Sequence, residues 1–215
     1  MSWHGPGRRG YHHGNLKEAL IRAALDLIAT KGPAGFTFAE AARSAGVSPA
    51  APYRHFRDRD ALMADVAARG FELFEAELAR AWSGGRPEPL KAFENVGRAY
   101  LAFARREPAY YSAMFESGLP MDAAPELRQA SERAFAVLRQ AAEVLAGLLS
   151  KDRRPPALMM ALHIWALAHG VASLFGRGDQ AGRKLPMSPE ELLEAGVLVY
   201  LGGLGLSAAQ GKSGS

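Results

Sequence analysis

Apolar residues first recur at helical spacing between residues 16 and 28. Seven of them form one continuous stripe, namely Leu16, Ala19, Leu20, Ala23, Ala24, Leu27 and Ile28. Such a stripe predicts an amphipathic helix that packs on other elements through this face. Lys31-Gly32-Pro33 then ends the helix. We expect the stripe to be covered by the apolar residues that follow it, which are Phe36, Phe38, Val47, Phe56 and Leu62.

The rest of the chain also has helical patterns. Asp58 is placed to cap a helix over residues 59–82, and a glycine-rich stretch ends that helix. Further patterns cover residues 89–106, 108–117, 125–149, 156–176 and 189–206, without strand alternation. The sequence predicts an all-α fold of about nine helices. Its predicted parts are a basic arm (1–14), a three-helix domain (15–62), a larger helical domain (63–206) with a loop at 178–184, and a tail (207–215).

Within the three-helix domain, two short helices joined by a tight turn are predicted. Thr37 and Glu40 form a capping-box pattern at the start of the first of them. Gly46 supplies the positive φ of a sharp helix exit, and Ser48 with Pro49 forms an N-cap and first-position pair for the second helix. This is a helix-turn-helix pattern, which is typical of DNA binding.

At these residues the chain resembles the tetracycline-repressor (TetR) family of bacterial regulators. The matching residues are Thr37, Ala41, Ala45, Gly46, Val47, Ser48, Tyr53, His55, Phe56 and Leu62. The departures from the family pattern are Glu40, Ala50, Pro52 and Arg59. Because Pro52 lacks a backbone donor, we expect it to tighten the first turn of the second helix without abolishing the helix. The resemblance implies a DNA-binding regulator that acts as a dimer.

The second helix and its surroundings supply the candidate DNA contacts. We expect base edges to be read by Ser48, Ala50, Ala51 and Arg54. Among these only Arg54 can make a bidentate contact to guanine. Phosphates would be held by Thr37, Tyr53, His55 and Arg59. In the arm, Arg8 and Arg9 either reach phosphates or the minor groove, or belong to a solvated tail.

Charge and composition agree with this interpretation. Residues 1–60 hold nine Lys and Arg against five Asp and Glu, which is the whole of the net charge of +4. Nucleic acid is the simplest partner for such a segment. The absence of cysteine excludes disulfides, thiolate metal sites and thiol nucleophiles. The arginines of the arm precede no apolar segment, and the apolar run 195–206 is too short for a bilayer, so we expect a cytoplasmic protein without membrane contact.

The larger domain contains candidates for an effector pocket. Trp165 and His169 lie one helical turn apart on one face, and with Gly170 they resemble the Trp-His-Gly signature of one TetR subgroup. His163 lies on a different face, so the two histidines do not make a metal site, and no cofactor is expected. The candidate pocket residues are Tyr100, Phe103, Tyr110, Met114, Phe115, Phe135, Met159, Trp165 and His169. The alternative is that Trp165 and His169 are core residues.

The last helical pattern becomes apolar on every side from residue 195 onward. A helix of this kind must be buried, either against a second subunit or within its own chain. The resemblance favours a dimer formed by the last two helices. The candidate interface residues are Leu162, Leu193, Val197, Tyr200, Leu201 and Leu204.

These observations predict a ligand-responsive regulator. The expected form is a repressor that binds a pseudo-palindromic operator as a homodimer and is released by a small, mainly apolar or aromatic effector. Two alternatives stay open at this stage: a constitutive DNA-binding protein without an effector, and an α-helical enzyme that uses the second domain. The sequence lacks paired acids at useful spacing, a nucleophile motif and a phosphate loop, so we expect no enzymatic activity.

Overall fold

The protein was analysed as a computed structural model that describes residues 15–175 and 186–206. Over these residues the chain forms eight α-helices and no strand, which confirms the all-α prediction. The helices are α1 (Asn15–Lys31), α2 (Phe38–Ser44), α3 (Arg59–Trp82), α4 (Pro89–Arg106), α5 (Pro108–Phe115), α6 (Pro125–Gly147), α7 (Ala157–Phe175) and α8 (Pro189–Leu204). Short 3₁₀ helices cover Ala51–Arg54, Ser83–Gly85 and Lys151–Arg153. The arm with Arg8 and Arg9, the loop 178–184 and the tail 207–215 lie outside the described residues.

The start of α2 shows why the chain carries Glu40 where the family pattern has an aliphatic residue. The Glu40 N–H donates to Thr37 Oγ1 at 3.2 Å, and the Glu40 carboxylate accepts from the Thr37 N–H at 2.8 Å, which completes the predicted capping box. Lys31 Nζ lies 2.8 Å from the same carboxylate. The hydrogen bonds from Lys31 and Thr37 hold the pKa of Glu40 at about 2. Glu40 therefore links the end of α1 to the start of α2.

Helix α3 extends from the N-terminal helices α1 and α2 into the bundle formed with α4 to α8, which we name the second half of the molecule. It contains 24 residues and is therefore about 36 Å long. Asp58 caps its first turn, with Oδ1 accepting from the Ala61 N–H at 2.8 Å, as predicted. The first half of α3 packs on α1, and along its length it also packs on α4, α5 and α6. A displacement of α3 in the second half would thus also move the N-terminal helices that pack on it.

Helix α7 requires a correction to the membrane argument. By length and composition alone, Ala157–Phe175 could cross a bilayer, and it is longer than the run 195–206 considered above. One such helix is weak evidence for a membrane span, because the core helix of a soluble protein has the same properties. Here one side of α7 is buried against α4, α6 and α8, so the helix serves as a wall of the second half of the molecule.

Candidate functional site

The second helix of the helix-turn-helix is a single 3₁₀ turn, Ala51–Arg54. The Ala51 N–H donates to the Ser48 carbonyl at 3.0 Å, and the Pro52 carbonyl accepts from the next two residues after the turn at 2.9 and 3.0 Å. Because Pro52 has no N–H, the α-helical ladder cannot begin here. The N-cap position of the turn is occupied by Ala50, which makes no side-chain hydrogen bond, so Ser48 does not cap the turn as predicted. The prediction of an α-helix with a tightened first turn was wrong at this point.

Residues 48–55, which we name the recognition segment, nevertheless present most of the predicted DNA contacts. Tyr53 is 63% exposed, and its ring packs edge-on against Phe38 at 5.1 Å, which fixes the ring at the surface. Within the described residues, the Arg54 guanidinium has neither an ion pair nor a hydrogen bond and is free to bind a ligand. The other exposed candidates are Thr37, Ser48, Ala50 and His55, and Ala51 is half-buried. A shallow depression of about 430 Å³ is lined by Leu16, Gly46, Val47, Ser48, Ala50, Ala51 and Arg54.

Arg59 has a different position from the one expected. Its Nε donates to the Phe36 carbonyl at 2.9 Å, its Nη1 to Asp60 at 3.1 Å, and its Nη2 to the Pro33 carbonyl. The guanidinium also lies over the Phe36 ring, 4.8 Å from the ring centre. These contacts occupy the donors of the guanidinium within the chain. The expected phosphate contact of Arg59 is therefore replaced by a structural role. Arg59 ties the start of α3 to the connection between α1 and α2.

We therefore expect Arg59→Ala to destabilise the protein instead of removing a phosphate contact. The substitution leaves two backbone carbonyls without a charged donor, and hydrogen bonds to charged groups contribute about 1.5–3 kcal/mol. Urea unfolding should give a free energy of unfolding lower by about 2 kcal/mol. Arg57→Ala is the matched control, because the Arg57 side chain is 87% exposed and pairs only with Asp58 among the described residues. Unchanged stability together with a weaker salt dependence of DNA binding would restore the phosphate role.

A charged cluster joins α1 to α3. Arg69 Nη2 and Nη1 donate to the two carboxylate oxygens of Glu18 at 2.7 and 2.8 Å, and Arg69 Nε donates to Asp65 at 3.1 Å. Lys17 Nζ lies 2.6 Å from Asp65. The hydrogen bond from Arg69 lowers the pKa of Glu18. The bidentate geometry fixes the orientation of α1 on α3 more firmly than a single ion pair would.

Helix α5 lies between this junction and the interior of the second half. A Cβ atom added at Gly70 of α3 would lie 2.8 Å from Met114 Sδ and 3.2 Å from Tyr110 Cδ1. Tyr110 and Met114 thus pack on α3, and neither lines the outer groove described next. On its other side, α5 carries Phe115, whose ring lies 5.5 Å from that of Phe71. One short helix therefore contacts both the junction and the aromatic interior.

An apolar cavity, which we name the outer groove, opens between α3, α6 and α7. It has a volume of about 290 Å³ and is lined by Phe71, Phe74, Phe115, Met121, Ser131, Glu132, Ala134, Phe135, Leu138, Leu162 and Trp165. Three of the predicted pocket residues, Phe115, Phe135 and Trp165, are among them. Phe71 and Phe74 were not predicted as pocket residues, because their positions on α3 fit an ordinary core pattern. An apolar cavity of about 150 Å³ binds benzene, so this groove has room for a larger molecule.

The remaining pocket candidates lie elsewhere. Phe103 is fully buried, with its ring 5.0 Å from Phe74, and is a core residue. Met159 is 48% exposed on α7 and does not line the groove. Tyr100 lines a second, much smaller cavity of about 30 Å³ between α4, α7 and α8.

His169 is the centre of a hydrogen-bonded cluster beside the groove. Its Nδ1 lies 3.0 Å from both the Tyr100 and the Tyr111 hydroxyl, and Trp165 Nε1 donates to the Tyr100 hydroxyl at 3.3 Å. Burial lowers the pKa of His169 and raises that of Tyr100 well above its usual range. Burial thus favours the uncharged form of both His169 and Tyr100. Tyr111, which contacts both His169 and Ser173, was not among the predicted residues.

His163 does not join this cluster. Its Nδ1 lies 3.1 Å from the Tyr200 hydroxyl on α8, on the outer side of α7. Among the residues that the structure describes, no three His, Asp or Glu side chains form a group suited to a metal ion.

Helix α8 has two different apolar faces. Leu193, Val197 and Leu201, which were predicted at a dimer interface, are buried within the chain itself. The opposite positions follow helical spacing and form what we name the outward face, consisting of Ala195, Leu198, Val199 and Gly202. Val199 is 77% exposed and Leu198 44%. Leu162, at 43% exposure, is also open to solvent, while Tyr200 and Leu204 are half-buried. The helix is thus buried on one side only.

Two family models match the chain. "Bacterial regulatory proteins, tetR family" matches residues 20–66, and "Tetracyclin repressor-like, C-terminal domain" matches residues 93–200. The first match contains the helix-turn-helix, and the second contains most of the outer groove. Neither match confirms the Trp-His-Gly signature. A comparison with curated proteins found no match.

Solved structures share the fold over almost the whole chain. A protein of unknown function from Rhodococcus sp. RHA1 is 27% identical, with a TM-score of 0.76 over 93% of this chain and 100% of its own. The TetR family transcriptional regulator PfmR from Thermus thermophilus is 17% identical, with a TM-score of 0.62 over 86% and 92%. The fatty acid degradation regulator FadR from Bacillus halodurans is 13% identical, with a TM-score of 0.67 over 92% and 98%. With both family models matched in chain order, this protein belongs to the TetR family and is a ligand-responsive, DNA-binding transcriptional regulator.

Proposed function

We propose that the protein is a cytoplasmic, homodimeric repressor that leaves its operator when a small, uncharged, mainly apolar or aromatic molecule fills the outer groove. The observation that carries this proposal is that α3 begins beside the recognition segment and contributes Phe71 and Phe74 to the groove. Residues 15–62 would be the DNA-binding domain, and residues 63–206 the effector-binding and dimerisation domain. No enzymatic role is needed to explain any of these features.

The effector class follows from the lining of the groove. Its polar members are Ser131 and Glu132, and no Lys or Arg among the described residues lines it. An anionic ligand would therefore lose its hydration without gaining a counter-charge. The four phenylalanine rings, with Trp165, suit flat or flexible apolar surfaces, and the neighbouring Tyr100, Tyr111 and His169 could supply hydrogen bonds.

On DNA, the recognition segment would enter the major groove. Ser48, Ala50, Ala51 and Arg54 would face base edges, and Thr37, Tyr53 and His55 would contact phosphates. The unpaired guanidinium of Arg54 supports this assignment, since it has no competing partner among the described residues. The arm residues Arg8 and Arg9 remain candidates for phosphate or minor-groove contacts.

The dimer would form through α7 and the outward face of α8. Leu198 and Val199 supply exposed apolar surface, and Gly202 permits close backbone approach, because nothing lies within 4 Å of a Cβ atom placed there. Two recognition segments related by the dimer axis would then reach successive major grooves.

Coupling between groove and DNA would pass through α3 and α5. A ligand beside Phe71 and Phe115 displaces residues whose helices also meet at the Gly70 and Met114 contact. Because Gly70 has no side chain, Met114 and Tyr110 of α5 pack directly on the backbone of α3. A shift of α5 would therefore move α3 and, through Arg69 and Glu18, α1. The coupling free energy needed is typically about 1–3 kcal/mol.

Selection of random duplex DNA by the purified protein tests this function. We expect an inverted repeat whose half-sites are one helical turn apart, about 10 base pairs, because a two-fold dimer places two equivalent segments on the DNA. The neutral fluorophore N-phenyl-1-naphthylamine should bind the protein and reduce its occupancy of the selected site. If the protein bound DNA without sequence preference and with a strong salt dependence, this would contradict the proposed recognition of an operator. If the fluorophore left the protein–DNA complex unchanged, this would contradict the effector role of the groove.

A further inference from the structure

The outer groove ends against a second cavity. The inner cavity, of about 30 Å³, lies between α4, α7 and α8, and its lining includes Arg98, Tyr100, Leu138, Trp165 and Glu194. Two residues, Leu138 and Trp165, line both this cavity and the outer groove. They therefore form the wall between the two spaces.

The wall is held weakly on its tryptophan side. The indole of Trp165 is half-buried, and its Nε1 makes a hydrogen bond of 3.3 Å to the Tyr100 hydroxyl, which is at the long end of the usual range. Its ring contacts are with Phe135, at 5.9 Å and 66°, and with His169, at 6.0 Å and 48°. The inner cavity behind it has room for little more than water, although its surroundings are mostly apolar.

We propose that Trp165, together with Leu138, sets the length limit of the effector by closing the inner end of the groove. This inference rests on the proposed function of the groove. In the wild-type protein the ligand body lies among the phenylalanine rings and stops at the indole. Removing either wall residue joins the two spaces, so a linear apolar tail extends between α4 and α8. The far end stays closed by the ion pair of Arg98 with Glu194, whose atoms lie 2.8 Å apart.

The test measures how affinity depends on chain length. Straight-chain 1-alkanols, from hexanol to tetradecanol, are titrated against protein that carries bound N-phenyl-1-naphthylamine, and displacement gives each Kd. Each methylene buried contributes about fourfold in Kd until the groove is full. In the wild-type protein, the gain in affinity with each added methylene should stop at a definite chain length. In Trp165→Ala it should continue, so that the longest alkanols bind the variant at least about tenfold more tightly than the wild-type protein, since two further methylenes suffice.

Leu138→Ala provides a second opening of the same wall, so that a failure of Trp165→Ala to fold does not remove the test. Leu73→Ala is the matched control, because Leu73 is 44% exposed on α3 and lines neither space. A longer limit in either wall variant, with the wild-type limit in the control, supports the inference. The same limit in all proteins that fold overturns it while leaving the groove as a ligand site. Absence of binding by every alkanol to every protein overturns the inference and the proposed effector function together.

Discussion

Val199→Glu is expected to prevent formation of the proposed dimer and to abolish operator binding. Val199 is 77% exposed on the outward face of α8, while the opposite face of this helix is filled by Leu193, Val197 and Leu201 of the same chain. Two-fold symmetry places the substituted residue at the interface once from each subunit. Burying an unpaired carboxylate there, with a like charge close by, costs several kcal/mol. Sedimentation velocity at micromolar protein concentration should show the monomer.

The loss of operator binding follows from the loss of two-point attachment. Joining two binding units raises overall affinity by about 10²–10⁴-fold, and a monomer loses this gain. Leu73→Glu is the matched control, since it introduces the same charge at an exposed leucine of α3. The control should stay dimeric and bind DNA normally. A dimeric Val199→Glu protein would contradict the assignment of the interface to α8.

The dimer proposal illustrates how much the sequence determined. The apolar run from residue 195 predicts burial of α8, and the structure buries one side of this helix within the chain. The pattern alone could not tell which face meets which neighbour. Leu193, Val197 and Leu201 differ from Leu198 and Val199 only in their angle around the helix axis. That angle is fixed by contacts with α4 and α7, which are distant in sequence. Helix bounds depend on local caps and were therefore predicted well, as Asp58 and Arg59–Trp82 show.

The candidate site was predicted less completely for the same reason. Tyr110 and Tyr111 are adjacent in sequence, so their side chains must diverge on α5. The fold directs Tyr110 to Gly70 and Tyr111 to His169, and no local signal distinguishes these outcomes. Arg59 likewise fitted the pattern of a phosphate ligand, because its carbonyl partners lie 23 and 26 residues away in the sequence. The effect of Pro52, by contrast, is local and was underestimated.

Arg54→Ala is expected to lower operator affinity by about 2–6 kcal/mol, which is roughly thirtyfold or more, because a bidentate guanine contact contributes about 1–3 kcal/mol and the dimer makes it twice. Selectivity should be lost at one base pair of each half-site, while the salt dependence stays nearly unchanged. Binding of the selected operator and its single-base variants, at several salt concentrations, measures both effects.

Two variants separate the reading of a base from simple charge. Arg54→Lys keeps the positive charge but loses the planar fork, so it should show the same loss of selectivity with most non-specific binding retained. Arg139→Ala removes an equal charge from α6, where the Arg139 side chain is 53% exposed, and should leave the operator preference intact. If Arg54→Ala weakened binding to all DNA sequences equally, and reduced the slope of log affinity against log salt concentration by about one per subunit, Arg54 would be a phosphate contact. Base reading would then fall to Ser48, Ala50 and Ala51, whose short side chains require the 3₁₀ turn to lie deep in the major groove.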